Sequence, residues 1–208
     1  VLFLPVQRIG YSPEHAAFAG TISLKADTVM RLWTDIAESV SASGVNKLVL
    51  FNTHGGNVGL MDVVGRELRT RLGMLVYSVS WFNLPLHGPD GEDILARFSP
   101  EERRFGVHAG QMETAMMLAL KPRLVRQSKM QAFESSSQAR AAAHRILGNG
   151  KSAKLAWAAQ DLNHEGAAGN AAAANVDDGM ALLDAAGRAL ADLLKEIDRL
   201  PADTLKAG

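Results

Sequence analysis

Three short polar motifs carry the side chains of this sequence that could do chemistry. They are Tyr11-Ser12-Pro13-Glu14-His15, Asn52-Thr53-His54 and His108-Ala109-Gly110-Gln111-Met112-Glu113. Histidine nitrogens and carboxylate oxygens are ligands that a catalytic Zn²⁺ takes while one position stays open for water. Such an ion lowers the pKa of that water to ~7, so that hydroxide is available at neutral pH. The three motifs are therefore compatible with a hydrolytic divalent-metal site.

The motif around His54 follows an apolar run, Lys47-Leu-Val-Leu-Phe51, and is followed by Gly55-Gly56-Asn57. An apolar strand in a parallel sheet delivers its last residues to the carboxyl edge, where open α/β folds bind ligands. The glycines remove bulk around the histidine and allow a close backbone approach. The same residues also suit a tight strand-to-helix turn in which the histidine is incidental, and the local sequence leaves both interpretations open.

We expect different environments for the carboxylates and the remaining histidines of these motifs. His108 and Glu113 are five residues apart, which would separate them by about 140° on one helix. They can share a site only if His108 lies before the helix begins, and Ala109-Gly110 favours that. Glu14 is expected to be solvated, as loop glutamates usually are. His15 could belong to a site or could hydrogen-bond the backbone.

Composition excludes several classes of protein. The chain has 208 residues, 22 basic and 22 acidic side chains and no cysteine. A balanced charge gives no electrostatic footprint for nucleic acid or for an anionic membrane. Without cysteine, any metal must be held by His, Asp, Glu or water. No apolar stretch approaches the ~18 residues of a membrane span. We expect a soluble, cytoplasmic protein whose partner is a small molecule or a protein.

Hydrophobic periodicity predicts an α/β protein with a mostly parallel sheet covered on both faces. We interpret the irregular segment from Phe82 to Gly106 as a lid or binding loop. After it comes a helix that Pro122 closes, and Gln127 to Ala159 is expected to mix loop and helix. The predicted strands are Val1–Val6, Lys47–Phe51 and Leu75–Val79, and the predicted helices include Lys25–Ser43, Val58–Arg71 and Ala181–Leu200.

Together these motifs resemble the creatininase family, and the resemblance covers most of the chain. The stretch from Gly10 to Leu24 resembles a family segment with a histidine and a phenylalanine before a Gly-Thr pair. Asn52 to Asn57 resembles the motif Asn-x-His-Gly-Gly-Asn. His108 to Thr114 resembles His-Ala-Gly-x-x-Glu-Thr-Ser. Two such motifs at this separation are specific.

The resemblance implies a three-layer α/β/α sandwich and one creatininase-like domain over residues 1–208. It implies a metal-dependent amidohydrolase that cleaves a C–N bond of a small cyclic or formyl amide with metal-bound hydroxide, using Zn, Mn or Fe. His54 would be a metal ligand and His108 the proton shuttle. Glu113 would be a ligand or the hydrogen-bond partner that positions water, and Ser12, His15 and Trp81 would line the substrate pocket. A homo-oligomer is expected.

This sequence departs from the family pattern in ways that keep other functions open. The family's Glu-x-His-Gly-Pro-His motif and its following aspartate, which supply most metal ligands, are not in the sequence. We expect them in an upstream segment, in which case the centre is dinuclear. Ala115 replaces the usual serine, and Gln111 stands where an acid is common. The alternatives are a degenerate, non-catalytic binding or assembly subunit and a family peptidase acting on a modified peptide.

Overall fold

The computed structural model describes residues 1–206, which contain helices and short strands. Its helices are α1 (Ala26–Ala42), α2 (Val58–Leu72), α3 (Pro100–Phe105), α4 (Gln111–Leu120), α5 (Ser136–Ala143), α6 (Ala159–Leu162) and α7 (Val176–Arg199). Its strands are β1 (Lys47–Asn52), β2 (Leu75–Ser80), β3 (Ala132–Phe133) and β4 (Gly169–Asn170). Two compact units result: the first holds Val1–Pro85 and the stretch from Arg188 onward, and the second holds Leu86–Gly187. None of the described helices is both long and apolar enough to span a membrane.

The first unit is built on a parallel strand pair. Strands β1 and β2 pair in register from Lys47 opposite Leu75 to Asn52 opposite Ser80. Helix α2 connects them, which is the crossover that a parallel pair requires. Both strands therefore end at the same edge, and the predicted strand-helix-strand order is confirmed.

One face of this strand pair is covered by α1 and α2. The centre of the cluster is Ala37 from α1 with Val64 and Leu68 from α2, all at most 1% exposed. Partly buried side chains that pack against it are Met30, Trp33, Leu48, Leu50, Leu72 and Val76. Burying each leucine-sized side chain contributes about 1.5–3 kcal/mol. The three-four spacing that predicts these helices is thus the spacing that buries them.

The start of β1 also holds the end of α7 in the first unit. The ammonium group of Lys47 donates to the carbonyl oxygens of Ile197, Asp198 and Leu200, at 3.0, 2.8 and 2.7 Å. Carbonyls in the last turn of a helix have no partner within the helix. A lysine supplied by the strand therefore caps that helix.

The predicted strand at Val1–Val6 is wrong. This segment has no regular secondary structure, and its large apolar side chains are exposed, from Leu4 at 53% to Leu2 at 90%. A strand needs a neighbour for its N–H and C=O groups, and no strand of residues 1–206 pairs with this segment. The apolar composition is that of a strand, but the pairing that would make it one is absent from the described residues.

The segment predicted to be irregular, Phe82–Gly106, is more ordered than expected. It contains the 3₁₀ turn Ile94–Arg97 and helix α3. The hydroxyl of Ser99 accepts the N–H of Glu102, and Pro100 occupies the first helical position. Serine before a helix and proline at its first position are recognised start signals. Because the residues that follow are mostly charged, the segment has no hydrophobic period, and the sequence pattern did not predict this short helix.

Helices α4 and α7 meet in the second unit at a glycine. The Cα of Gly179 lies so close to α4 that a Cβ there would overlap the carbonyl group of Ala115. Helix α7 begins at Val176, five residues before its predicted start, because the side chain of Asn175 accepts the N–H of Asp178. That cap extends the helix to include the glycine.

Replacing Gly179 by alanine should destabilise the second unit. The added methyl group would push α7 away from the Ala115 carbonyl, and such overpacking costs about 1–3 kcal/mol. Thermal unfolding followed by circular dichroism should show a lower Tm. The control is Gly187→Ala in the same helix, where nothing lies within 4 Å of the added Cβ, and alanine is favoured there by roughly 0.5–1 kcal/mol. Equal Tm values for the two variants would contradict the close helix contact.

Candidate functional site

The carboxyl edge of the strand pair is organised by the side chain of Asn52. This residue is 4% exposed. Its amide nitrogen donates to the hydroxyl of Ser80 at 3.1 Å, which ties the ends of β1 and β2 together. Its amide oxygen accepts the backbone N–H of His54 at 3.0 Å and the side-chain amide of Asn57 at 3.2 Å. One buried amide therefore fixes the turn that carries His54.

A second asparagine attaches the first polar motif to this turn. The side-chain oxygen of Asn57 accepts the backbone N–H of Tyr11 at 3.0 Å. A Cβ at Gly10 would lie 2.7 Å from that oxygen, so the contact needs a glycine. The loop from Tyr11 to His15 is thereby held beside His54.

Glu14, His15 and His54 come together as a result. The Oε1 atom of Glu14 lies 2.9 Å from Nε2 of His54 and 3.8 Å from Nε2 of His15. The two imidazole rings are 6.1 Å apart between centroids. The Glu14 side chain is only 14% exposed, so the expectation that it is solvated is wrong. Its burial follows from contacts with the His54 turn, which is distant in sequence.

The Nε2 atom of His54 is buried in an unusual environment. It lies close to Glu14, but the approach falls outside hydrogen-bond geometry, and this nitrogen has no hydrogen-bond partner among residues 1–206. A Cβ at Gly56 would lie 2.6 Å from this nitrogen, from Glu14 Oε1 and from the carbonyl oxygen of Tyr11. Gly56 is therefore required by crowding, and three electron-pair donors converge beside it.

This donor set fits part of a divalent-metal site. Imidazole nitrogen with carboxylate and carbonyl oxygen suits Zn or Mn, and a buried nitrogen without a partner is a ligand atom available for coordination. However, no group of three or more His, Asp or Glu side chains within residues 1–206 is arranged to hold an ion. His54 and Glu14 therefore offer two potential ligand atoms, which is fewer than such a site needs.

Ser12 and Trp81, the expected pocket residues, both belong to the first unit. The N–H of Ser12 donates to the hydroxyl of Ser23 at 2.8 Å, immediately before the 3₁₀ turn Pro13–His15. Trp81 begins a 3₁₀ turn directly after β2, and its ring lies edge-on to Phe82 at 6.1 Å. Ser12 is close in sequence to Glu14, and Trp81 follows the strand whose end Asn52 holds.

His108 and Glu113 form a separate cluster in the second unit. Helix α4 begins at Gln111, so His108 lies before it, as predicted. His108 is anchored by its backbone: its N–H donates to the carbonyl of Ala168 at 3.3 Å, and its carbonyl accepts the N–H of Ala168 at 2.7 Å. This two-way bridge sets the position of the histidine backbone.

The turn between His108 and the helix is closed by Glu113. Ala109 has a φ of 51°, in the left-handed region that residues other than glycine rarely adopt. The carboxylate of Glu113 accepts the N–H of Ala109 at 2.7 Å, and its Oε2 atom lies 3.6 Å from Nδ1 of His108. Thr114 donates to the carbonyl of Ala109 at 3.2 Å. Both site side chains are about two-fifths exposed, so they remain accessible.

Two buried or largely buried carboxylates were not predicted from the sequence: Glu14 was expected to be solvated, and Glu102 was not singled out. Glu102 is 4% exposed and accepts backbone N–H groups from Gln111 and Asn170. Glu14 had one signal, since it adjoins His15 in a proline-started turn. Glu102 had none, because it sits in a run of charged residues that resembles a solvated surface.

Comparison with known proteins adds the family. The creatininase family model, described as creatinine amidohydrolase, matches residues 1–194. Mycofactocin precursor peptide peptidases from Mycobacterium ulcerans (strain Agy99) and Mycobacterium tuberculosis (strain ATCC 25618 / H37Rv) are 30% and 31% identical over 131 residues. Each match covers 63% of this chain and 44% of the relative, so the match spans less than half the length of these curated relatives.

Solved structures show the same fold. A proposed creatinine amidohydrolase from Bacteroides fragilis NCTC 9343 has a TM-score of 0.72 at 23% identity, covering 93% of this chain and 70% of that one. A creatinine amidohydrolase (creatininase) has a TM-score of 0.69 at 23% identity, covering 95% and 75%. Similar creatininase structures, with TM-scores of 0.63 and 0.62, are described as Mn and Zn-Zn forms. With a family match over residues 1–194, this chain belongs to the creatininase family.

Proposed function

We propose that this chain is part of a metal-dependent amidohydrolase that cleaves the C–N bond of a small cyclic or formyl amide. The observation that carries the proposal is the buried Nε2 atom of His54, which has no hydrogen-bond partner among the described residues and lies 2.9 Å from the Glu14 carboxylate. A buried polar atom without a partner is costly in a folded protein. Coordination of a cation would remove that cost.

His54 and Glu14 would supply two of the ion's ligands. Zn and Mn are the metals that we propose, since similar structures are described with both. When bound, a divalent ion polarises the amide carbonyl and activates water. A second ion would make the centre dinuclear, as the family resemblance implies.

His108 would move the proton in this reaction. An imidazole titrates near neutral pH, so it can donate a proton to the departing nitrogen as the C–N bond breaks. Glu113 was open to two roles, as ligand or as hydrogen-bond partner. Its carboxylate closes the turn beside Nδ1 of His108. We therefore propose that Glu113 orients the imidazole, a role distinct from the expected metal ligand or water-positioning partner.

Substrate contacts would come from Ser12, His15 and Trp81. A hydroxyl and an imidazole can orient a polar amide, while the indole ring offers an apolar surface. We also propose a three-layer α/β/α architecture and a homo-oligomer, as is expected from the family. The α1–α2 layer packed on one face of the strand pair supports the first of these.

Two other functions have specific support. The 30–31% identity to mycofactocin precursor peptide peptidases favours a peptidase acting on a modified peptide. The lack of a three-ligand group within residues 1–206 favours a non-catalytic binding subunit.

A turnover assay separates these functions. The metal-loaded full chain is offered creatinine, a formylated aminopyrimidine and a modified peptide in turn. Turnover of the peptide alone selects the peptidase, and turnover of none selects the binding subunit.

Removing the His54 imidazole should weaken metal binding. In the full chain, His54→Ala should lower the affinity for Zn²⁺ and Mn²⁺ at least ~10-fold, and Glu14→Gln should lower it by a comparable factor. Calorimetric titration of apo protein measures both. The control is His164→Ala, because that side chain is 89% exposed. Unchanged affinity in His54→Ala would contradict the proposed metal site.

Removing the His108 imidazole should slow turnover but preserve metal binding. A general acid contributes about 10²–10⁴-fold, so His108→Gln should lower kcat by that factor on whichever substrate the wild type hydrolyses. It should also remove the alkaline limb of the pH profile that reports the acid. His144→Gln, at an exposed position, is the control. An unaltered kcat in His108→Gln would exclude the proton-transfer role.

A further inference from the structure

The carboxylate of Glu102 lies at the centre of the structure around His108. We propose that Glu102 is a positioning residue that holds His108 in its working orientation through the backbone. This role rests on the proposed function of His108 as the proton donor. Glu102 belongs to α3, six residues before His108, and it makes no direct contact with the imidazole among its described hydrogen bonds.

The two carboxylate oxygens bind two different segments. Oε1 accepts the N–H of Gln111, the first residue of α4, at 2.6 Å, and Oε2 accepts the N–H of Asn170 in β4 at 2.7 Å. These are short, charge-assisted hydrogen bonds, which are roughly twice as strong as neutral ones. One side chain therefore joins the start of α4 to β4.

Those two segments are the ones that carry the His108 bridge. Gln111 lies three residues after His108, and Asn170 lies two residues after Ala168. His108 and Ala168 exchange both of their backbone hydrogen bonds. Glu102 therefore joins the two bridged segments at residues that follow the bridge in each of them. Any shift of either segment is transmitted to the His108 backbone over two or three residues.

Three glycines make room for this carboxylate. A Cβ at Gly106 or Gly110 would overlap Glu102 Oε1, and a Cβ at Gly169 would lie 2.9 Å from it. Gly169 also has a φ of 134°, outside the range that other residues favour. The backbone thus closes around the carboxylate from three sides, which fixes its position as well as its partners.

The charge of Glu102 is compensated by the backbone. Among residues 1–206 its carboxylate forms no ion pair, and its partners are the N–H groups named above. The N–H of Gln111 also belongs to the N-terminal end of α4, where the helix dipole favours a negative charge. An amide in place of the carboxylate would offer one acceptor oxygen and would point an NH₂ group at the second N–H. One of the two segments would then be released.

The test is Glu102→Gln, with Glu101→Gln as the matched control on the same helix, because Glu101 is exposed. The primary measurement is the ring Cε1–Hε1 resonance of His108 in histidine-labelled full chain. It is assigned with variants in which one histidine at a time is replaced. Glu102→Gln should shift that resonance and speed amide exchange at Ala168 and His108, while the His54 resonance and Zn²⁺ affinity stay at wild-type values. On a substrate that the wild type hydrolyses, kcat should fall at least ~10-fold with little change in KM.

A second variant guards against a folding defect. Gly110→Ala displaces the same carboxylate from the other side and should shift the His108 resonance in the same way, whereas Gly187→Ala should not. An unshifted His108 resonance and normal kcat in folded Glu102→Gln, or in folded Gly110→Ala, would overturn the proposal. If the wild type hydrolyses no substrate, the proposed function fails, but the resonance and amide exchange still decide whether Glu102 positions His108.

Discussion

The buried amide of Asn52 is the interaction on which the cluster of Glu14, His15 and His54 in the first unit depends. One side chain joins the ends of two parallel strands, fixes the turn that carries His54 and, through Asn57, attaches the loop that carries Glu14 and His15. A parallel pair brings two strand ends to one edge but does not by itself order the loops beyond them. The buried amide supplies that order, because each of its hydrogen bonds would be costly to leave unmade.

The second unit uses the same principle with a carboxylate. Glu102 takes N–H groups from two segments that are far apart in sequence, and the bridge between His108 and Ala168 lies between them. In both units a buried polar side chain fixes the backbone next to a histidine of the candidate site. Glycines surround each cluster for a steric reason, since a Cβ at Gly56 or at Gly110 would occupy the space of the polar group.

Burial distinguishes three glutamates of this chain. Glu102 is enclosed and satisfied by backbone N–H groups, which suits a structural carboxylate. Glu113 is more exposed and faces an imidazole, which suits orientation of a group that must still reach a substrate. Glu14 lies between these cases: it is largely buried, yet it adjoins a histidine nitrogen that lacks a hydrogen-bond partner among residues 1–206. That incomplete pairing is why a cation is the simplest occupant to propose.

The strand-helix-strand order and the placement of His108 before α4 follow from the sequence alone, because they depend on local periodicity and turn chemistry. Capping residues determine the starts of α3 and α7, and hydrophobic periodicity does not predict these starts. The apolar segment Val1–Val6 shows the opposite limit, since strand composition does not supply a pairing partner. Only the tertiary structure decided that Glu14 and Glu102 are buried, because their partners at His54 and Asn170 lie 40 and 68 residues away. Burial of a charged side chain depends on what distant segments bring to it, and no local pattern records that.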